Sequence, residues 1–361
     1  MKKIVIIAGD KSGDLYGGLL SKKLKEKFPS LELYSFGGRH LARNSYQVID
    51  TISHSVSGIY EVIFTIRKFI NIFNTTLAYI DRLKPDLIIL IDFPDFNLRL
   101  AQKINKKYPV FYYVSPQIWA WRKQRINLIR KYIDKMTVIF KFEEVFYKEN
   151  NIDALYFGHP LLEIIEEVPS VSSKNIITFM PGSRRNELKR HLPVLAETYK
   201  ILRKHLKGYA FRIINPDNIE KDYYRKYIED IEIVPHSYKA IRESEFIISS
   251  SGTATVEIAI LEIPYIVIYK VNPISWHIIK TLVKTKYAGM VNILSSKTVV
   301  KELLQENAAP DKIAALTLDY INDKEKYTAL RNELKKVKAL LMPQGATDKF
   351  SDYIGRYLSL K

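Results

Sequence analysis

Residues 3–14 read KIVIIAGDKSGD, and this stretch decides how the rest of the chain is read. Lys3 to Ala8 is a nearly continuous apolar, β-branched run, the pattern of a parallel strand buried on both faces. It ends in Gly9-Asp10-Lys11-Ser12-Gly13-Asp14, after which Leu15 to Phe28 carries helical periodicity. A strand, a polar glycine-bearing turn and a helix in this order predict the first unit of a doubly wound α/β domain. Two glycines let the backbone turn tightly and approach a ligand, while Ser12 and Asp14 offer oxygens to hydroxyl groups. The spacing is neither GxGxxG nor a Walker loop. The same residues also read as a helix N-terminus capped by Ser12 or Asp14.

Further along, the alternation continues. Strands are expected at Leu31–Phe36, Asp86–Ile91, Val110–Val114 and Met136–Phe140, with helices at Ile59–Leu83, Leu98–Lys107 and Gln124–Tyr132. A pause at Gly158-His159-Pro160 and a polar stretch from Val168 to Lys174 predict the interdomain linker. The pattern restarts with strands at Ile176–Met180, Phe211–Ile214, Ile231–Val234, Phe246–Ser249 and Tyr265–Ile268, and a helix from Leu188 to about Leu206. From Val299 onward, through Leu304, the chain reads as mostly helical. The expected fold is α/β: two Rossmann-like doubly wound lobes facing a central cleft, residues 1–160 and 161–342, with a helical tail at 343–361 packing back on the first.

With 361 residues, two domains are expected. Cysteine is absent, which excludes disulfides, a thiolate nucleophile and cysteine-bearing zinc sites. The opening MKKIVIIAGD reads as a buried strand, not a signal peptide, and no apolar run reaches the length of a membrane span, so a cytoplasmic location is expected. A formal charge of +17 suits a phosphorylated substrate, an anionic membrane or nucleic acid, and equally a lysine-rich solvated surface.

In open parallel sheets, ligands bind beyond the carboxyl ends of the strands. Three further loops there have unusual composition. In Ile91-Asp92-Phe93-Pro94-Asp95-Phe96-Asn97, an acid closes a buried strand, where burial raises a carboxylate toward the range of a general base. A metal pair of Asp92 and Asp95 is a weak alternative, since no histidine is near; Asp95 or Asn97 also reads as a helix cap. Pro181-Gly182-Ser183-Arg184-Arg185-Asn186-Glu187 suits a phosphate, through backbone N–H groups and a guanidinium. Ser249-Ser250-Ser251-Gly252-Thr253-Ala254-Thr255 leads into Val256-Glu257 and has the same character, with Glu257 placed for ribose hydroxyls. Ordinary capped turns are the alternative for both. Together the loops fit a nucleotide diphosphate sugar.

At these residues the chain resembles the lipid-A-disaccharide synthase family. AGDKSGD is similar to the family's AGEASGD, and its GIDxPDFN is matched by Ile91 to Asn97. Further matches are Tyr113 to Pro116, Trp119-Ala120-Trp121-Arg122, Phe157-Gly158-His159-Pro160, Pro181 to Arg184, Ser251 to Glu257 and Lys301-Glu302-Leu303-Leu304-Gln305. Each is weak alone; their shared order, from residue 8 to about residue 310, is specific. Asp10-Lys11 departs from the family's Glu-Ala, while Ser12, Gly13 and Asp14 match it.

The resemblance implies a GT-B, inverting, metal-independent glycosyltransferase without cofactor. It moves 2,3-diacylglucosamine from UDP-2,3-diacylglucosamine to 2,3-diacylglucosamine 1-phosphate, forming a β(1→6) bond and releasing UDP. Asp92 and Arg184 are then catalytic. Donor contacts are Gly182, Ser183, Arg184, Ser251, Gly252, Thr253, Glu257, Asn292, Glu302 and Gln305, and the acceptor side holds Ser12, Gly13, Asp14 and Asp95. Acylated substrates imply peripheral association with the inner membrane, and the family is compatible with a homodimer.

For the membrane contact, the helix from Ile59 to Ile80 is the candidate. Ile59, Ile63, Ile66, Ile70, Phe73 and Leu77 form the expected core stripe. Tyr60, Phe64, Ile72 and Tyr79 fall outside it beside Arg67 and Lys68, as in an interfacial helix. A helix buried on both sides is the alternative. Competing functions on the same fold are a peptidoglycan-type N-acetylglucosaminyl transferase or a UDP-sugar 2-epimerase, whose glycine-rich motifs are missing here. A nucleic-acid binder would use Trp119, Trp121 and Arg122 for stacking, but the basic residues are spread along the chain.

Overall fold

The computed structural model describes residues 1–52, 62–166, 169, 174–216, 219–272, 276 and 285–360, with the side chains of 62–68 outside that description. The chain forms two compact units, Met1–Ile164 with Leu341–Lys361, and Ile165–Leu340. Most of the Val168–Lys174 linker lies outside the described residues.

Unit 1 is built on seven strands: β1 (Lys3–Ala8), β2 (Glu32–Gly37), β3 (Tyr46–Asp50), β4 (Leu87–Ile91), β5 (Val110–Tyr113), β6 (Lys135–Val138) and β7 (Ala154–Tyr156). They lie in the order β3-β2-β1-β4-β5-β6-β7, all parallel. The two central strands explain the continuous apolar runs, because Ile4 to Ala8 and Leu87 to Ile91 are fully buried on both faces. The short strands β3 and β7 were not expected. They are partly exposed at the sheet edges and lack a long apolar run.

Unit 2 repeats the plan with β8 (Ile176–Met180), β9 (Ala210–Asn215), β10 (Glu232–Pro235), β11 (Phe246–Ser250), β12 (Tyr265–Tyr269) and β13 (Glu302–Leu304). Their order, β10-β9-β8-β11-β12-β13, is again parallel with the reversal beside the first strand. Glu302–Leu304, expected within a helical region, is instead the edge strand beside β12. Three residues are too few for periodicity to separate the two states.

The α/β expectation with two Rossmann-like lobes is met. Helix α1 (Lys11–Lys27) begins four residues before the expected Leu15, because its cap is Asp10, whose carboxylate accepts the Gly13 N–H at 2.6 Å. The cap is thus neither Ser12 nor Asp14. Helix α2 (Val62–Leu83) shows a second correction. Phe73 and Leu77 pack on the core as expected, but Ile70 is 51% exposed while Ile72 and Tyr79 face inward. The buried stripe is rotated by about one residue, since Phe69 and Phe73 pack edge-on to Phe96. Tyr60 lies outside the described residues, as do the side chains of Phe64, Arg67 and Lys68. Among the described residues no helix is long and apolar enough to cross a membrane.

The tail helix Ala346–Leu358 belongs to unit 1, where it packs on α1. Phe350 stacks on Tyr113, and Lys27 bonds Asp352 at 2.6 Å. Gly355 fits against the Phe28 ring so closely that a Cβ there would lie 2.3 Å from it. Gly355→Ala is therefore expected to destabilise unit 1 by about 1–3 kcal/mol. Urea unfolding of the variant measures this; an unchanged midpoint would mean that the tail packs loosely.

Candidate functional site

The reversal of strand order in a doubly wound sheet leaves a crevice at the carboxyl ends of the two strands that flank it. In unit 1 these strands are β1 and β4, and in unit 2 they are β8 and β11. The four loops singled out by composition follow these four strands. Their glycines, acids and hydroxyls therefore sit at the two switch points.

In unit 1 the loops after β1 and β4 touch. Gly9 has no room for a side chain, because a Cβ would lie 2.1 Å from the Phe93 ring. Asp92 and Phe93 both have left-handed backbone, at φ 42° and 48°, which costs a non-glycine residue about 1–3 kcal/mol. Neighbours fix the turn. Asn97 Nδ2 donates to the carbonyls of Ile91 at 3.1 Å and Asp92 at 2.7 Å, and the Tyr112 hydroxyl donates to Asp92 as well. The half-buried Asp92 carboxyl is pushed up to about 8, chiefly by loss of hydration and next by the negative charge of Asp10. The Phe93 N–H opposes this, and Glu143 adds to it.

Glu143, which the sequence reading missed, is 1% exposed. It accepts from Ser115 Oγ at 2.8 Å, Trp119 Nε1 at 3.0 Å and the Phe140 N–H at 3.2 Å. Burial raises it to about 7 despite these donors. Glu143 and Glu144 follow Phe142 at the start of a helix and read there as ordinary first-turn acids, which gave no local signal.

Other expected acceptor-side residues have structural partners. Asp14 is 3% exposed, and its carboxylate accepts from the N–H groups of Gly38, His40 and Leu41 at 2.7, 3.0 and 3.1 Å. It closes the β2 turn, so its oxygens point into backbone. Gly13 donates to the Asp10 cap, and Ser12 lies beside it in the first turn of α1. Asp95 is held by Arg122 Nη1 at 2.9 Å and by Arg125.

In unit 2, Gly182 follows β8 with φ +114°. The N–H groups of Ser183 and Arg184 donate to Glu187 Oε2 at 3.2 and 3.4 Å, and Arg184 Nη1 meets Glu187 Oε1 at 3.2 Å. Arg184 remains 75% exposed. Buried His191 ties this loop to the end of β12: its Nε2 accepts the Lys270 N–H at 3.0 Å, so its Nδ1 carries the proton given to Pro181 O at 2.7 Å. After β11, Gly252 and Thr253 are exposed, and Ser251 Oγ donates to Ala288 O at 2.8 Å. Glu257 is met by His236 Nε2 at 3.1 Å and the Tyr238 hydroxyl at 3.5 Å.

The remaining three expected donor residues are engaged within their own unit. Asn292 donates to Val300 O and Glu302 Oε1 and accepts from the N–H groups of Val299 and Val300, all within 2.9 Å. Its amide is fully used by these four bonds. Glu302 also accepts from Ala288 and Gly289 N–H, and Gln305 Oε1 from Val271 N–H.

Similar architecture occurs in the UDP-GlcNAc 2-epimerase from Neisseria meningitidis bound to UDP-GlcNAc. Its TM-score is 0.69 at 12% identity, over 99% of this chain and all of that one. MurG of Acinetobacter baumannii gives a TM-score of 0.56 at 14% identity, over 99% and 100%. The protein thus has the GT-B type of fold. In sequence, the lipid-A-disaccharide synthetase model matches residues 4–349. Lipid-A-disaccharide synthase 1 of Legionella pneumophila subsp. pneumophila is 34% identical over 98% of this chain and 96% of its own. The Syntrophus aciditrophicus lipid-A-disaccharide synthase is 34% identical over 96% of each. The chain belongs to the lipid-A-disaccharide synthetase family and is a glycosyltransferase.

A carboxyl raised by burial makes the fold less stable when it ionises. Between the ordinary value of 3.8 and about 8, the folded state holds the proton that the unfolded state has lost, so stability falls as pH rises. Asp92→Asn should accordingly raise the melting temperature at pH 8, with the gain shrinking toward pH 4. Thermal scans at both pH values check this, and a gain independent of pH would contradict the raised value.

Proposed function

We propose that the protein transfers 2,3-diacylglucosamine from UDP-2,3-diacylglucosamine to the 6-hydroxyl of 2,3-diacylglucosamine 1-phosphate, with inversion and without a metal ion. Unit 1 takes the acceptor and unit 2 the donor's nucleotide. The observation that carries this reading is Asp92: a carboxyl on a strained turn at a switch point, poised near 8 as a general base requires. It takes the proton of the acceptor hydroxyl as that oxygen attacks the anomeric carbon. The new bond forms as the bond to the diphosphate breaks, and UDP leaves with the electron pair. Exposed Arg184 meets the charge developing on UDP, with Ser183, Gly182, Ser251, Gly252 and Thr253 lining the diphosphate. Glu257, steadied by His236 and Tyr238, holds the ribose.

Incubation of both substrates in mixed micelles with EDTA should yield UDP and disaccharide in step, followed by mass spectrometry. Asp92→Asn should lower turnover on the order of 100- to 10,000-fold with UDP binding intact. Arg184→Ala should cost on the order of 100-fold. Wild-type turnover should rise with pH up to about 8, as the base ionises. Near-normal rates in Asp92→Asn would remove its assignment as base.

Acylated substrates require access to a membrane, and the sequence from Tyr60 to Lys68, with Tyr60, Phe64, Arg67 and Lys68, carries the apolar and cationic residue types for a peripheral contact with the cytoplasmic face of the inner membrane. Phe64→Glu is expected to weaken sedimentation with anionic liposomes while leaving the melting temperature unchanged. Equal sedimentation would place the contact elsewhere.

A further inference from the structure

A closed ring of contacts surrounds the turn that carries Asp92. The loop after β5 begins at Val114, which is β-branched yet has φ +64°, and its carbonyl accepts the Asp92 N–H at 3.3 Å. The same loop ends at Arg122 and Arg125, which grip Asp95, three residues beyond Asp92. Between these attachments stand Ser115 and Trp119, and both donate to one oxygen of Glu143. The other oxygen is fixed by the Phe140 N–H at the start of the helix Lys141–Glu149. Two adjoining left-handed turns are thus locked together, and one buried carboxylate anchors the segment that locks them.

We infer that Glu143 is a positioning residue for the glycosyl transfer, holding the Ser115–Trp119 segment and through Val114 setting the orientation of Asp92. This rests on the reading of Asp92 as the base. A purely apolar contact at position 143 would not serve. Ser115 Oγ and Trp119 Nε1 would both lose their acceptor in the interior, at about 1–3 kcal/mol each, and the loop would be free to relax its strained Val114.

Glu143 also acts on Asp92 by charge. Above about pH 7 it is ionised, and its negative charge disfavours a second negative charge on Asp92. The other groups facing the pair are Asp10 from the β1 turn, Tyr112 from β5, Tyr147 from the helix of Glu143 itself and Tyr156 from β7, with Arg125 from the far end of the loop. The tyrosines stay neutral in the working range, because burial raises all three.

The test uses the full-length enzyme and the substrates named above, with wild-type turnover measured first so that a failure of the catalytic reading is seen separately. Glu143→Gln keeps the shape and an acceptor oxygen but removes the charge. It should bind UDP as the wild type does, keep the donor KM and lower kcat about 10- to 100-fold, and the acid limb of its pH profile should move to lower pH. An unmoved limb with kcat within about twofold of wild type would overturn the inference. Ser115→Ala, which removes one donor without touching the carboxylate, provides a second reading if Glu143→Gln does not fold. A fall in kcat at constant donor KM supports the ring, and unchanged kcat overturns it.

Discussion

The hydrogen bond from the Asp92 N–H to the Val114 carbonyl is the constraint on which the Asp92 turn of unit 1 depends. It joins two turns that are each unfavourable alone, one at Asp92–Phe93 and one at Val114, all with positive φ. Left-handed backbone at non-glycine residues persists only where the surroundings over-determine it. Here they do: Asn97 and Tyr112 hold the Asp92 carbonyl, and the Phe93 ring lies against Gly9. The buried strands β1, β4 and β5 supply the apolar burial that outweighs this local strain. As a result an acid is kept where it is poorly hydrated and feels the charge of two others, which raises its affinity for a proton at a cost in stability.

Unit 2 uses the same strand order for the opposite electrostatic purpose. Its carboxylates are given donors: Glu187 receives the loop N–H groups and Arg184, Glu257 receives His236 and Tyr238, and Glu302 receives Ala288, Gly289 and Asn292. An exposed guanidinium and two turns with one left-handed glycine each, Gly182 and Gly252, remain at the switch point. Under the proposed function, one fold serves proton abstraction in one copy and anion recognition in the other, through the loops after two strands of each sheet.

Sequence by itself determined the strand–helix alternation, the duplication of the α/β plan and the four loops that carry chemistry. Long apolar runs need both faces buried, and glycines beside acids or hydroxyls are uncommon outside turns. The placement of Asp92 and Arg184 in the loops after β4 and β8 was legible for that reason. Edge strands β3, β7 and β13 were not, because short half-exposed segments have no distinctive period. What only the tertiary structure decided is which polar atoms are already engaged. Asp14 and Asn292 share the composition of binding residues, yet their side chains close on backbone groups 24 or more and 7 or more residues away. Glu143, silent in the sequence, meets Ser115 and Trp119 because β5 and β6 are neighbours in the sheet. Hydrogen bonding and hydration depend on distances between segments remote in the chain, and those distances exist only after the sheet has formed.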